Sequence, residues 1–332
     1  MGNKLKDYGL RTVKSLLLPI IVYVIFVIVG NERFGSSRQM VTIARQSVMP
    51  ILISLAIACN MSIGMWDFSA GGVVAVASII GGGIAKMTGT GIPGMIIFCV
   101  IVGVIMSAAT GLLYNFMKVP SIVLTIGLVL VYETIPFFVF NGAGVLISGK
   151  MTKLALSPYC FIVLAVMFTI FYIVFNYTPF GHNVRALGNG QLIARNAGLD
   201  PWKTKLYSFI FGGIFLGMAA VMNLSVNGIV KPEANMASVT LVFDSMMGIF
   251  IGLFLSKYCN LAIGVTIGTF TMKMLNTGLI AVGFSTTVRE ITTGLFLLII
   301  LGVSSNQGRI SDWKAKKQRA KEANEKYAAG IM

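Results

Sequence analysis

A chain of 332 residues with 56% hydrophobic residues, 11% charged residues and a mean hydropathy of +0.85 carries less than half the charge of an ordinary soluble domain, about 25%, and its composition is that of a polytopic membrane protein. The net charge of +15 would suit a nucleic-acid partner, but the basic residues fall between and outside the apolar blocks and form no stripe on a soluble face. Nucleic acid is therefore excluded as a partner, the lipid bilayer is the expected one, and the cations read as topology signals.

Taken in chain order, the N-terminus carries Lys4, Lys6, Arg11 and Lys14 ahead of an apolar run over 15–30 that lacks a small-x-small cleavage pattern, so it reads as an uncleaved first span. Apolar blocks able to cross about 30 Å of hydrocarbon follow at 48–65, 70–87, 92–115, 121–140, 159–176, 206–224, 237–255, 260–280 and 288–304. The expected fold is thus all-α with ten transmembrane helices. Gly64, Gly71 and Gly72 break the 48–87 stretch.

With both termini cytoplasmic, the side holding the N-tail, Lys118, the 177–205 loop, Lys257 and the residues after Gly308 collects seventeen Lys and Arg. The opposite side, with Arg33, Arg38, Arg45, Lys86, Lys150, Lys153, Lys231 and Arg289, holds eight. That bias supports the orientation. Lys273 is the one cation assigned to the interior of a span. The chain is expected to divide into a transmembrane domain over 1–305, with its cytoplasmic loop at 177–205, and a basic cytoplasmic tail over 306–332.

That loop holds the longest polar interruption, "GHNVRALGNGQLIARNAGLDPWKTK" over 181–205, with the chain's only histidine. "NGQLIARNAG" predicts a short helix stopped by Gly198 in the left-handed C′ conformation. "DPW" restarts a helix with Asp200 as N-cap and Pro201 at the first helical position.

An internal echo links the two halves. Asp67, the break Gly91-Ile92-Pro93-Gly94 and Thr110-Gly111-Leu112 are matched by Asp244, a break at Lys257 to Asn260 and Thr277-Gly278-Leu279. An offset of five spans inserts the copies with opposite orientation, the pattern of an inverted-topology repeat.

Charge inside a bilayer is costly and marks function by default, which singles out Asp67, Glu133, Asp244, Lys273 and Glu290. Glu133 and Lys273 are expected to face a polar cavity, while Glu290 with Arg289 reads as an interfacial pair. For a solute rich in hydroxyls, Trp66, Phe68, Tyr132, Asn223 and Asn227 supply aromatic and amide groups, with Asp67 and Ser69 beside them. Enzyme chemistry lacks its parts: there is a single histidine, no GxxxxGK[ST] phosphate loop and no aspartate doublet for magnesium. No cofactor, metal or catalytic residue is expected. The four cysteines, Cys59, Cys99, Cys160 and Cys259, lie singly and read as packing residues.

The stretch "GHNVRALGNGQLIARNAGLDPWKTKLYSFIFGGIFLGMAA" resembles the cytoplasmic coupling segment of the ribose-type permeases, membrane subunits of ATP-binding-cassette importers for simple sugars in the branched-chain amino acid/ribose permease superfamily. "FDSMMGIFIGLF", "MLNTGLIAVGFSTTVREITTGLFLLIILGV", "GMWDFSAGGVVAVASIIGGGIA" and "KVPSIVLTIGLVLVYE" carry the resemblance over about residues 45 to 305. The resemblance implies a multi-pass protein of the bacterial inner membrane that pairs with a second permease, identical or not. An ATPase subunit would bind on the cytoplasmic side and an extracytoplasmic binding protein would deliver solute. It further implies that Asn189, Gly190, Gln191, Leu192, Ile193, Ala194, Arg195, Asn196, Ala197 and Gly198 form the helix that docks on the ATPase, with Arg185 and Arg195 available for ion pairs. The competing reading is an ion-coupled carrier or channel that works without an ATPase.

Overall fold

The computed structural model describes residues 2–30, 34–147, 149–256, 258–296, 298–299 and 302. Its described part is almost entirely helical. After α1 (Gly2–Val29) come α2 (Ser37–Ser62), α3 (Ala70–Val76), a π-helical segment (Ala77–Gly81), α4 (Gly82–Met87), α5 (Gly91–Met117) and α6 (Ser121–Phe138). The second half holds α7 (Tyr159–Tyr177), α8 (Pro179–Asn189), α9 (Gln191–Asn196), α10 (Pro201–Asn227), α11 (Val239–Leu255) and α12 (Leu261–Val282). Among the described residues, seven helices are long and apolar enough to cross a membrane, and two shorter apolar helices, Leu16–Val29 and Val239–Leu255, accompany them. This is an all-α polytopic membrane protein.

Contacts divide the chain into two units, residues 1–283 and 284–332. In the second, residues 286–296 are helical and include Arg289 and Glu290. The last expected span, 288–304, lies partly outside the described residues, and the basic tail at 306–332 wholly so.

Nine of the ten expected blocks fall in helices of the described residues, with one correction to where a helix begins. The second was expected to begin at residue 48, leaving Arg38 and Arg45 in a loop, but α2 begins at Ser37. Ser36, extended at φ −66° and ψ 145°, caps it by accepting a hydrogen bond from the Gln39 N–H at 3.3 Å. Arg45 is therefore a helical residue, and Lys273 is not the only cation carried within a long helix.

Within the first unit, α10 packs along α5 and α2, while α11 packs along α12. Small residues make these crossings possible, since lipid offers no hydrophobic force to drive helices together and close backbone approach must do so. A Cβ on Gly103 of α5 would sit 2.7 Å from both the Gly213 carbonyl oxygen and the Gly217 nitrogen of α10.

The bundle of the first unit has two distinct ends. At one, the Asn115 amide of α5 donates to the Trp202 carbonyl at 3.0 Å, and Asn260, N-cap of α12, donates to the Asn176 side chain of α7 at 2.6 Å. α8 and α9 lie here, with the N-terminus of α10. At the other end, a two-residue antiparallel pairing of β1 (Val145–Leu146) with β2 (Ile229–Val230) ties the connection after α6 to the exit of α10.

Candidate functional site: a surface helix, a buried polar chain and a charged cavity

Three features of the first unit gather its polar residues. The first is the α8–α10 segment. Ala197 closes α9 with its N–H on the Ile193 carbonyl, Gly198 follows at φ +85° and donates to the Arg195 carbonyl at 3.0 Å, and Leu199 donates to the Ala194 carbonyl at 3.1 Å. This pair of bonds is a Schellman stop, as the Gly198 pattern predicts. Asp200 then caps α10, its carboxylate accepting from the Trp202 and Lys203 N–H groups at 2.9 and 3.4 Å, with Pro201 behind it.

α9 exposes two apolar side chains, Leu192 and Ile193, at 72% and 73% of their surface, while Ala194 is buried at 3%. These residues belong to a polar bundle end and not to the flank of a long helix. Gly188 holds the segment down: a Cβ there would overlap the Ser62 carbonyl at the end of α2. Asn189, Gln191, Asn196, Ala197 and Gly198 are exposed.

Arg185 and Arg195 differ in a way the sequence does not reveal. The Arg185 guanidinium donates to the Gly181 and Asn176 carbonyls at 3.3 and 3.4 Å, approaches His182 Nδ1 at 3.1 Å, and lies 5.4 Å from the centre of the Phe175 ring. It fastens α8 to the end of α7. The Arg195 side chain is exposed and makes no hydrogen bond among the described residues. A cavity of about 390 Å³ opens beside Arg185 between Asn176, Asn189 and Asn260.

The second feature is a buried chain of hydrogen bonds starting at Ser208 of α10, which donates to Asn60 of α2 at 2.6 Å. Asn60 donates to Asp67 at 3.5 Å, and Ser69 donates to the other Asp67 oxygen at 2.6 Å. Ser69 meets Thr110 of α5 at 3.4 Å, and Thr110 meets the Tyr132 hydroxyl of α6 at 2.9 Å. The chain ends where Tyr132 donates to the Met106 carbonyl at 3.1 Å. Asp67 and Tyr132 are 3% and 4% exposed, so the network joins four helices across a break in the backbone rather than lining open space.

Glu133 likewise departs from expectation. It was expected to face a polar cavity, but it is 1% exposed, and its carboxylate accepts from the Met236 N–H, the Ser238 N–H and the Ser238 hydroxyl at 2.8, 2.8 and 2.6 Å. Ser238 is the N-cap residue of α11, so Glu133 of α6 satisfies the donors at the head of that helix. The echo between halves shifts accordingly. Asp244 lies inside α11, whereas Ser69 and Ser238 precede α3 and α11 with nearly the same backbone, φ −66°, ψ −17° and φ −67°, ψ −18°.

Beside the polar chain, Trp66 stacks on Phe68 at 6.2 Å between ring centres and meets Phe250 at 5.5 Å, while Phe68 meets Phe243 at 5.6 Å. Phe68 is 8% exposed; this aromatic group packs α11 against the break before α3.

The third feature is a cavity of about 760 Å³ among α2, α10, α11, α12 and the 3₁₀ turn Met151–Ala155. Asn223, Asn227 and Lys273, all named from the sequence, line it, as do Arg45, Gln46 and Asp244. Sequence reading missed Arg45 as a site residue because a hydropathy window assigns 33–47 to a loop; the Ser36 cap was the available signal. Asn227 donates to Asn223 at 2.7 Å, and Asn223 to Ser78 of the π segment at 3.3 Å. The cavity lies toward the β1–β2 end, because Asn223 and Asn227 close α10 while α8 and α9 precede its start.

A bundle of apolar helices with a surface helix at one end and a polar cavity toward the other is the architecture of a polytopic membrane protein. The chain belongs to the family described as branched-chain amino acid transport system / permease component, whose model matches residues 39–301. It is a multi-pass permease of the bacterial cell membrane and not an enzyme.

Among similar proteins is the Autoinducer 2 import system permease protein LsrC of Photorhabdus luminescens, 22% identical over 67% of this chain and 69% of that protein. The L-arabinose ABC transporter permease protein AraH of Azospirillum brasilense is 26% identical over 53% of each chain. The fructose import permease protein FruG of Bifidobacterium longum is 21% identical over 73% of this chain and 76% of its own length. The chain spans 64% of the length of the LsrC proteins of Yersinia pseudotuberculosis. No solved structure matches.

Proposed function

We propose that the chain is the permease subunit of an ATP-binding-cassette importer, moving a monosaccharide or related small polar solute that an extracytoplasmic binding protein delivers. The observation that carries this reading is the α9 surface: Leu192 and Ile193 stand exposed on a helix braced by Gly188, the Schellman stop and the Asp200 cap. An apolar pair on a rigid turn at a polar bundle end suits a groove on an ATPase, whose closure would be passed to α10 and α2. The names of the relatives, permeases for autoinducer 2, L-arabinose and fructose, support a sugar-like cargo.

In this reading the α8–α9 end is cytoplasmic, together with both termini, and the charged cavity opens toward the exterior. Ten spans with an inverted repeat account for the matched Ser69 and Ser238 helix heads, each followed by a membrane helix. A second permease subunit completes the translocation unit. Asn223, Asn227 and Lys273 belong to the solute pathway; Trp66, Asp67, Phe68, Ser69, Tyr132 and Glu133 hold the helices that frame it. Arg195 is the cation open to the ATPase, and Arg185 braces the segment from behind. The tail over 306–332 lies on the cytoplasmic side.

Vesicles reconstituted with the permease, with and without its ATPase and ATP, test the reading. Uptake that requires the ATPase and ATP is expected. Uptake by the permease alone, following an ion gradient, would establish the ion-coupled carrier instead.

A further inference from the structure

The charged cavity holds two cations, Arg45 and Lys273, against one carboxylate, Asp244. Lys273 lies twelve residues along α12, about 18 Å from its start at 1.5 Å per residue, and so deep within a spanning helix. Cations at such depth are costly unless they face a water-filled cavity or a partner, and all three charged groups line one space. Its formal excess is one positive charge.

The uncharged wall is equally specific. Gln46, Asn223 and Asn227 present amides, and Thr152 and Ser225 present hydroxyls. Pro50 also lines the space and lies within α2. Having no N–H, it cannot bond the carbonyl four residues back, and that carbonyl belongs to Gln46. The wall thus offers hydrogen-bond acceptors for hydroxyl groups beside two cations. About 760 Å³ falls within the usual range for small-molecule sites, and the floor of Ile53 and Met222 supplies an apolar face.

From this arrangement we infer that the cavity is a solute-binding chamber selective for a polyhydroxylated monoanion, a sugar carboxylate, over the corresponding neutral sugar. The guanidinium of Arg45 matches a carboxylate with paired N–H donors, and Lys273 adds a point charge. The amides of Gln46, Asn223 and Asn227 meet the hydroxyls, which a neutral or anionic sugar supplies equally. Selectivity therefore comes from the cations.

The inference rests on the permease reading, but its test does not require the ATPase. The purified permease in nanodiscs is titrated with D-gluconate, D-glucose and acetate by calorimetry. The expected result is gluconate binding at least tenfold tighter than glucose, with acetate weaker than both because it lacks the hydroxyls. R45Q and K273M should each weaken gluconate about tenfold and narrow its preference over glucose to within threefold, while R45K and K273R should retain most of the preference.

Equal affinity for gluconate and glucose, or no binding of either, would overturn the chamber's proposed selectivity even if every variant failed to fold, since the wild-type comparison stands alone. Unchanged gluconate affinity in R45Q and K273M would also reject it. Uptake without an ATPase bears on the importer reading and leaves this binding result intact.

Discussion

Glu133 and Ser238, 105 residues apart, are joined by two hydrogen bonds, from the Ser238 N–H at 2.8 Å and from its hydroxyl at 2.6 Å. The carboxylate sits on α6 and the serine at the head of α11, so one buried charge fixes the start of a helix from the other half of the chain. Asp67 does related work nearer its own helix, holding Ser69 just ahead of α3. Both acids are thus engaged at helix heads.

Removing the Glu133 carboxylate leaves the buried Ser238 N–H and hydroxyl and the partly buried Met236 N–H without that partner. Bonds to a charged group contribute about 1.5–3 kcal/mol each, so E133A should lower stability by at least ~3 kcal/mol. E133Q, which keeps one acceptor oxygen, should lose less. Thermal unfolding in detergent measures both; an E133A protein as stable as the parent would show that the cap is dispensable.

The approach of α3 to the same segment predicts a second loss. A Cβ on Gly71 would overlap the Ser238 carbonyl oxygen, and that neighbour is backbone held by Glu133, so it has little room to yield. Overpacking of this kind costs about 1–3 kcal/mol, and G71A should show it as a lowered unfolding midpoint. The combination with E133A should be less than additive, because once the cap is gone the segment can shift.

At the surface helix the expected result is functional loss without destabilisation. Leu192 and Ile193 are exposed, so the L192D/I193D variant should change stability by no more than about 0.5 kcal/mol. Co-purification of the ATPase subunit should fall to background, and ATP-driven uptake with it. Normal uptake by this variant would remove α9 from the coupling role.

Helix stops near α9 can be tested separately. Gly198 sits at φ +85°, where a side chain costs about 1–2 kcal/mol, and D200A removes an N-cap worth about 1 kcal/mol. Neither touches the cavity. Both should weaken ATPase association by displacing α9, while gluconate binding by the isolated permease stays within threefold of the parent.

Between α5 and α10, Gly213 lies with its Cβ position 2.8 Å from the Gly103 carbonyl oxygen. G213L should prevent the two helices from closing, and the yield of monodisperse protein measures it. Folded G213L of normal stability would mean that this crossing is not fixed by backbone contact.

Composition and local chemistry alone determined that this is a helical membrane protein, where its polar segment interrupts the apolar blocks, and how that segment stops and restarts. Those properties depend on apolar length and on residues within a few positions of each other, as Gly198 and Asp200 show. What the side chains of Glu133, Arg45 and Lys273 do was decided only by tertiary structure. Glu133 finds its donors 103 and 105 residues away, and Arg45 reads as a loop cation until α2 is seen to begin at Ser36's cap. The cavity walls come from helices that are distant in sequence and adjacent only after packing. A charge in a membrane chain is a cost in isolation; whether it caps a helix or faces a solute depends on which neighbours the fold brings to it.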